Sequence, residues 1–340
     1  MSRAKLWAVR RSMLVAFLAW SACGSIVSAG SYATTPTVTW LASSVPVSGR
    51  VELSKVVLTD STARMKFKTQ GPCKVEGKLL ITEKAGVCKI ELQLAATPKF
   101  AAISSSTMLQ VKKPTELTVL AAASLAEAFK EFGKRFMARF LNVSVKFNFA
   151  GSATLATQIR QGASVDVVAM ADTVNMQKVV SSGDIDQGSV TTLVRNKLAI
   201  LVGRGNPQKI YKLGDLTRRD LKVVLCDLAQ PCGKYASAVL TRANISLSPA
   251  SREASASGVV LRVGIGEADA GIAYITDGLA AGDKVDAVAI ADNLNLIADY
   301  PIGIATRPTA IDSAAITAFV AMIRGDTGRK IFLDKGFILP

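Results

Sequence analysis

The sequence predicts an α/β protein of two lobes preceded by a small all-β sandwich. Three observations predict it. Residues 34–113 alternate apolar and polar residues over short runs cut by turn signals. After Pro114, apolar strands alternate with amphipathic helices in a β-α-β-α-β order, the pattern of a parallel doubly wound sheet. A second series of such elements follows, so two α/β lobes stand in sequence with a cleft expected between them. The 340 residues suffice for two or three domains, and the 49% hydrophobic content suits packed cores rather than disorder.

Residues 1–33 read as an export signal. Arg3, Lys5, Arg10 and Arg11 form a positive start, and Met13 to Ala22 is an apolar run too short to span a bilayer. Cleavage is expected after Ala29 or Ala33. Ser21-Ala22 before Cys23 makes that cysteine a candidate lipid anchor, although Trp20 stands where such signals usually carry Leu. Arg10-Arg11 is read as ordinary signal charge rather than a twin-arginine signal. The expected location is the periplasm or the outer face of the envelope.

Within residues 34–113, strands are expected over Val47 to Leu58, Ala63 to Lys68, Lys74 to Ile81, Val87 to Leu94 and Ser106 to Val111. Asp60-Ser61, Gly71-Pro72, Lys84-Ala85-Gly86 and Thr97-Pro98 separate them. The pattern Gly71-Pro72-Cys73-Lys74-Val75-Glu76-Gly77, then Gly86-Val87-Cys88-Lys89-Ile90, resembles a bacterial immunoglobulin-like surface module. Lys112-Lys113-Pro114 reads as the linker. This stretch holds 12 basic and 5 acidic residues, against 25 and 21 in residues 114–340. The basic excess of the module is read as an aid to solubility, with attraction to an anionic envelope as the alternative. Nucleic acid is not an expected partner, because no aromatic-basic stripe is present.

Cys73, Cys88, Cys226 and Cys232 form an even set in an exported chain and favour disulfides. Three connectivities are possible; Cys73–Cys88 with Cys226–Cys232 is the simplest, since each pair lies within one domain.

From residue 114, Leu117 to Ala122 is an apolar strand. Ser124 is expected to cap a helix to about Phe140, with Leu125, Phe129, Phe132 and Phe136 at helical spacing. Val143 to Phe149 is the next strand, Ser152 precedes a helix to about Gln161, and Val165 to Met170 is the third strand. Leu198 to Val202 and Lys222 to Asp227 are strands of the second series, with helices over Gly233 to Ala243 and near Ser257 to Gly264. A helix from Asp312 to Met322 and a segment from Gly328 to Phe337 close the chain.

The chain has no histidine, which removes Ser-His-Asp and Cys-His catalysis and histidine metal sites. The remaining signal lies in the strand-to-helix turns, where first-turn N–H groups lack acceptors and the helix dipole is positive. Ala121-Ala122-Ala123-Ser124, Ala150-Gly151-Ser152-Ala153 and Pro231-Cys232-Gly233 carry small or hydroxyl residues suited to close approach. Taken singly, Ser124 and Ser152 read as helix caps. Asp166 and Asp172 read as strand-end caps or solvated charges rather than a metal or acid-base pair. Gly233-Lys234 fails the Walker pattern because Leu228 and Tyr235 stand at its key positions. Gly264-Ile265-Gly266 follows a helix, so it is not a dinucleotide fingerprint. Cys226 and Cys232 lack Cys-x-x-Cys spacing and read as structural.

The ordered set Ala121-Ala122-Ala123-Ser124-Leu125, Phe149 to Ala156, Asp166 to Asp172, Pro231-Cys232-Gly233, Gly266 to Tyr274 and Tyr300-Pro301 resembles the periplasmic molybdate-binding proteins of ABC transporters. The resemblance covers residues 116–340. It implies a two-lobed periplasmic-binding-protein-like fold (class II), with one lobe of about 114–195 and 300–340 and another of about 196–299. The chain would cross between them near Arg195-Asn196 and again near Ala291 to Tyr300. It implies an oxyanion held by neutral donors: the hydroxyls and N–H groups of Ser124 and Ser152, the N–H groups of Cys232 and Ala256, and the Tyr274 hydroxyl. Ser255 departs from the Asn or Asp usual before the fourth donor, yet serine can also cap a helix. The implied ligand is molybdate or tungstate, with no cofactor and no metal-cation site, and the implied partners are the permease and ATPase of the transporter. A monomer that is not an enzyme is expected. The competing readings are a sulfate or other oxyanion binder, an enzyme using the same cleft, and an envelope adhesion protein in which the amino-terminal module carries the function.

Overall fold

A computed structural model describes residues 33–310 and 312–340. The expected export signal, including Cys23, lies outside them except for Ala33. No helix among the described residues is long and apolar enough to cross a membrane.

The amino-terminal strands are β1 (Val38–Trp40), β2 (Ser44–Pro46), β3 (Arg50–Glu52), β4 (Val57–Thr59), β5 (Met65–Gln70), β6 (Cys73–Glu76), β7 (Leu79–Thr82), β8 (Gly86–Leu94) and β9 (Ile103–Lys112). They form a four-stranded sheet in the order β2-β9-β8-β5, a three-stranded sheet β3-β7-β6 and the pair β1-β4. Alternation along β8 buries Cys88, Ile90, Leu92 and Leu94, and β9 adds Leu109 and Val111. Val51 and Leu80 of the three-stranded sheet join Ile90 and Leu109 in one core. The Cys73–Cys88 disulfide links the two sheets.

Two expected strands are divided. Lys74 to Ile81 is a hairpin, because Gly77 takes φ 60°, a left-handed conformation open to glycine, and turns the chain between β6 and β7. Val47 to Leu58 is interrupted by a 3-10 turn at Leu53–Lys55 that buries Leu53 and sends β4 to pair with β1 rather than β7.

Only Lys113 and Pro114 separate β9 from β10 (Thr115–Ala122), and direct contacts reinforce this junction. The Ser43 N–H donates to the Arg139 carbonyl at 2.8 Å, and the Leu141 N–H to the Ser44 carbonyl at 3.0 Å. Lys112 pairs with Asp312 at 3.0 Å. The contacts reach Arg139 and Leu141, just before the chain enters the next strand, and Asp312 near the carboxyl-terminal helices.

The α/β part continues with α1 (Ala126–Arg139), β11 (Val143–Ala150), α2 (Ser152–Arg160), β12 (Val167–Ala169), α3 (Thr173–Ser181) and β13 (Thr191–Gly203). β14 (Val223–Cys226), α4 (Pro231–Arg242), β15 (Ser251–Glu253), α5 (Ala256–Gly264), β16 (Ala270–Tyr274), α6 (Ile275–Ala280) and β17 (Val285–Ala289) follow. β18 (Ile297–Ile304), α7 (Ser313–Arg324) and α8 (Asp326–Asp334) end the chain. The strands run β11-β10-β12-β18-β13-β16-β14-β15, with β17 also on β13.

The sheet is mixed, not parallel throughout. β10 is parallel to β11 and β12, and β14 to β15 and β16. β18 runs antiparallel to β12 and β13, and β13 antiparallel to β16 and β17. The reason lies in β13, a 13-residue strand that serves both halves of the sheet. Its first part pairs with β18 up to Lys197, and from Leu198 it pairs with β16 and β17. β13 and β18 carry the chain out and back, so they oppose one another.

On α1, Phe129, Phe132 and Phe136 are buried at helical spacing. Phe132 meets Phe319 of α7 edge-on at 5.0 Å, and Phe129 lies 6.2 Å from Phe332 of α8. Asp166 and Asp172 both act as caps, but neither is solvated. Asp172 accepts from the Asn175 N–H at the start of α3. Asp166 accepts from the N–H groups of Thr118, Thr309 and Ala310 at 2.7, 2.6 and 2.8 Å, and ties the segment before α7 to the strand layer. Asp166→Ala leaves these amides without their acceptor. It should lower the unfolding free energy in a urea titration by about 3 kcal/mol.

Candidate functional site

The strand-to-helix turns after β10, β11, β14 and β15, with the end of β16, open onto one small pocket. Ser124, Ser152, Cys232, Ala256 and Tyr274 all line it, with Gly151, Gln230 and Ser255 among their neighbours. No lining residue carries a charged side chain.

Ser124 lies inside a 3-10 turn, Ala123–Leu125, that precedes α1, and its side chain caps no helix. Its Oγ is 3.0 Å from the Tyr300 hydroxyl. Ser152 is the first residue of α2, with Gly151 at the cap position. Its Oγ accepts the Ala171 N–H at 2.9 Å instead of an amide of its own helix. The capping role expected for the two serines is therefore not found, because both hydroxyls are engaged by other parts of the fold.

Pro231 begins α4, where its missing N–H and fixed φ suit the first turn, and places Cys232 next. The Cys226–Cys232 disulfide joins the end of β14 to this turn. With Cys73–Cys88, it gives the local connectivity. Gly233 is required here: a Cβ would stand 2.1 Å from the Asp227 carbonyl oxygen. Ala256 begins α5, and Ser255 caps that helix by accepting the Gly258 N–H. The first amides of α2, α4 and α5 have no intrahelical acceptor. Tyr274 is 1% exposed, and its hydroxyl has no hydrogen-bond partner among the described residues. Burial raises its pKa well above the usual phenol value, so it stays an O–H donor.

Sequence reasoning missed three contributors. Gln230 Oε1 accepts the Ala153 N–H at 3.2 Å, and its Nε2 donates to Thr154 Oγ1 at 3.1 Å, which joins the starts of α2 and α4. Gly151 permits this approach, since a Cβ there would meet Gln230 Oε1 at 2.2 Å. Tyr300 and Asn196, both fully buried, stand behind Ser124. The Tyr300-Pro301 pair was visible as a motif, but nothing local marks Gln230 or Asn196, whose contacts span 77 and 104 residues.

A mixed α/β fold that directs helix starts and a buried hydroxyl at one uncharged pocket defines a solute-binding protein of the periplasmic-binding-protein type. The model of the bacterial extracellular solute-binding protein family matches residues 117–338, and the chain belongs to that family. It is 39% identical over 224 residues to the molybdate-binding protein ModA of Mycobacterium tuberculosis H37Rv, covering 66% of this chain and 85% of that one. Identity to ModA of Escherichia coli K12 is 30%, covering 66% and 89%. Among solved structures, the periplasmic molybdate-binding protein of Azotobacter vinelandii shares the fold, with a TM-score of 0.57 and 19% identity over 66% of this chain and 99% of that one.

Beneath the site, Asp277 accepts the Tyr274 N–H at 3.1 Å. Burial raises its pKa to about 7 from the usual 3.8. The folded state thus holds this proton more tightly than the unfolded state. The stability it confers is complete below about pH 4 and is lost as the pH rises to about 7. Asp277→Asn removes this dependence. Between pH 5 and pH 8, urea unfolding of the parent should lose a few kcal/mol more than that of the variant.

Proposed function

We propose that this chain captures molybdate or tungstate and delivers it to an ABC transporter. The observation that carries the reading is the convergence of Ser124, Ser152, Cys232, Ala256 and the partnerless Tyr274 hydroxyl on one pocket with no charged side chain. Such a pocket offers hydroxyl protons and first-turn amides, and helix dipoles add positive potential without a counter-ion. A fully deprotonated dianion accepts from every donor. Hydrogen phosphate would bring a proton toward donors and leave a mismatch. The choice of molybdate over sulfate rests on the ModA relatives, whose name states their ligand.

In this reading, residues from 114 to the carboxyl terminus form two lobes that close over the anion, with β13 and β18 as the connecting strands. The lining residues supply no carboxylate or lysine for acid-base chemistry, which favours binding over catalysis. The protein acts as an exported monomer, held at the envelope through Cys23 if that residue is lipidated, and its partners are a permease and an ATPase. The amino-terminal sheets form an immunoglobulin-like module, packed where β10 begins and away from the pocket-facing ends of the strands.

Calorimetric titration of the mature protein at neutral pH should show tight binding of molybdate and tungstate, with sulfate and phosphate far weaker. Equal affinity for sulfate would overturn the named ligand, and absence of any oxyanion binding would overturn the reading. In the same titration, Ser152→Ala should weaken molybdate by about 1–3 kcal/mol, since the anion loses one donor. An unchanged affinity would remove Ser152 from the site.

A further inference from the structure

We infer that Asn196 and Tyr300 are specificity-determining residues that set the direction of the Ser124 proton, so that Ser124 meets the ligand only as a donor. This rests on reading the pocket as an oxyanion site. Neither residue is among the lining residues, so both act through Ser124 as positioning residues.

The direction follows from one amide. The Lys197 N–H donates to Asn196 Oδ1 at 2.9 Å, which fixes the oxygen side of the side chain. The nitrogen side then faces Thr276 Oγ1 at 2.8 Å and the Tyr300 hydroxyl oxygen at 3.3 Å, one proton for each. The Asn196 amide fills one acceptor position of the Tyr300 hydroxyl, and we assign the Tyr300 proton to Ser124 Oγ, 3.0 Å away, a contact in which either hydroxyl can donate. With its oxygen already accepting, Ser124 is free to turn its proton into the pocket. Ser152 is polarised in the same sense by the Ala171 N–H. Burial keeps Tyr300 protonated, its pKa raised well above the usual phenol value, so the relay does not reverse within the ordinary pH range.

The position of Asn196 adds to the case. It is 0% exposed and lies on β13 just before the strand exchanges β18 for β16 and β17. Its contacts reach Tyr300 on β18 and Thr276 on α6, so the relay is anchored where the two halves of the sheet meet. Without the relay, Ser124 could accept a proton as readily as donate one. A protonated anion would then find an acceptor in the pocket.

The test is Tyr300→Phe, which keeps the ring and removes the relay. Molybdate affinity is measured by calorimetry at pH 8, and phosphate affinity by its displacement of molybdate. At that pH both ligands are dianions, but hydrogen phosphate keeps one proton. Molybdate should weaken about 10-fold, the scale of one lost hydrogen bond, while phosphate weakens by no more than about 2-fold. Equal weakening of both anions, or unchanged molybdate affinity, would overturn the inference. Asn196→Asp is the second variant and covers the case in which Tyr300→Phe does not fold. Its carboxylate has similar shape but accepts the Tyr300 proton, so the selectivity for molybdate over phosphate should narrow again by about 10-fold or more. An unchanged selectivity would sink the proposal. A parent protein that binds molybdate while the variants keep its selectivity defeats only this inference; a parent that binds no oxyanion defeats the site itself and the inference with it.

Discussion

The amides that begin an α-helix have no acceptor within it, and this protein gathers several such unsatisfied starts around one small pocket. The turns entering α2, α4 and α5, with the 3-10 turn at Ser124, present their donors to a shared space. Repulsion between helix dipoles and desolvation of N–H groups both oppose such an arrangement. The surrounding structure therefore has to hold it in place. Gly151 and Gly233 allow approaches of backbone and side chain that a Cβ would block. The Cys226–Cys232 disulfide restrains the α4 turn, and Gln230 joins it to the start of α2. An anion that accepts from these donors relieves the opposition, and this links the local deficit to the proposed capture of an oxyanion.

Behind the pocket lies a second layer of buried polar groups. Asn196, Thr276, Tyr300 and Asp277 are all buried, and Tyr274 brings a hydroxyl with no partner among the described residues. Such groups destabilise a core unless each finds a partner. The layer is built on β13, β16, β18 and α6, the elements at which the two halves of the sheet join. Rigid positioning of the donors and connection between the halves therefore depend on the same residues. The amino-terminal sheets are tied in elsewhere, through Ser43, Ser44 and Lys112, and leave this layer untouched.

The sequence by itself determined the change of texture at Pro114 and the positions of most strands and helices. These were legible because they depend on local periodicity and on turn residues close together in the chain. Alternation along Gly86–Leu94 and the Phe129, Phe132, Phe136 spacing are set by geometry within one element. The resemblance to molybdate-binding proteins then selected Ser124, Ser152, Cys232, Ala256 and Tyr274, and the fold brings all five to one pocket. Tertiary structure alone decided the rest. The antiparallel course of β13 and β18 depends on which distant strands they join, and a run of apolar residues carries no direction. The 3-10 turn at Ser124 and the outward engagement of both serine hydroxyls depend on Tyr300 and Ala171, which lie 176 and 19 residues away. Gln230 and Asn196 gain their roles only when separate segments meet, because a hydrogen bond between remote residues leaves no periodic trace in either one.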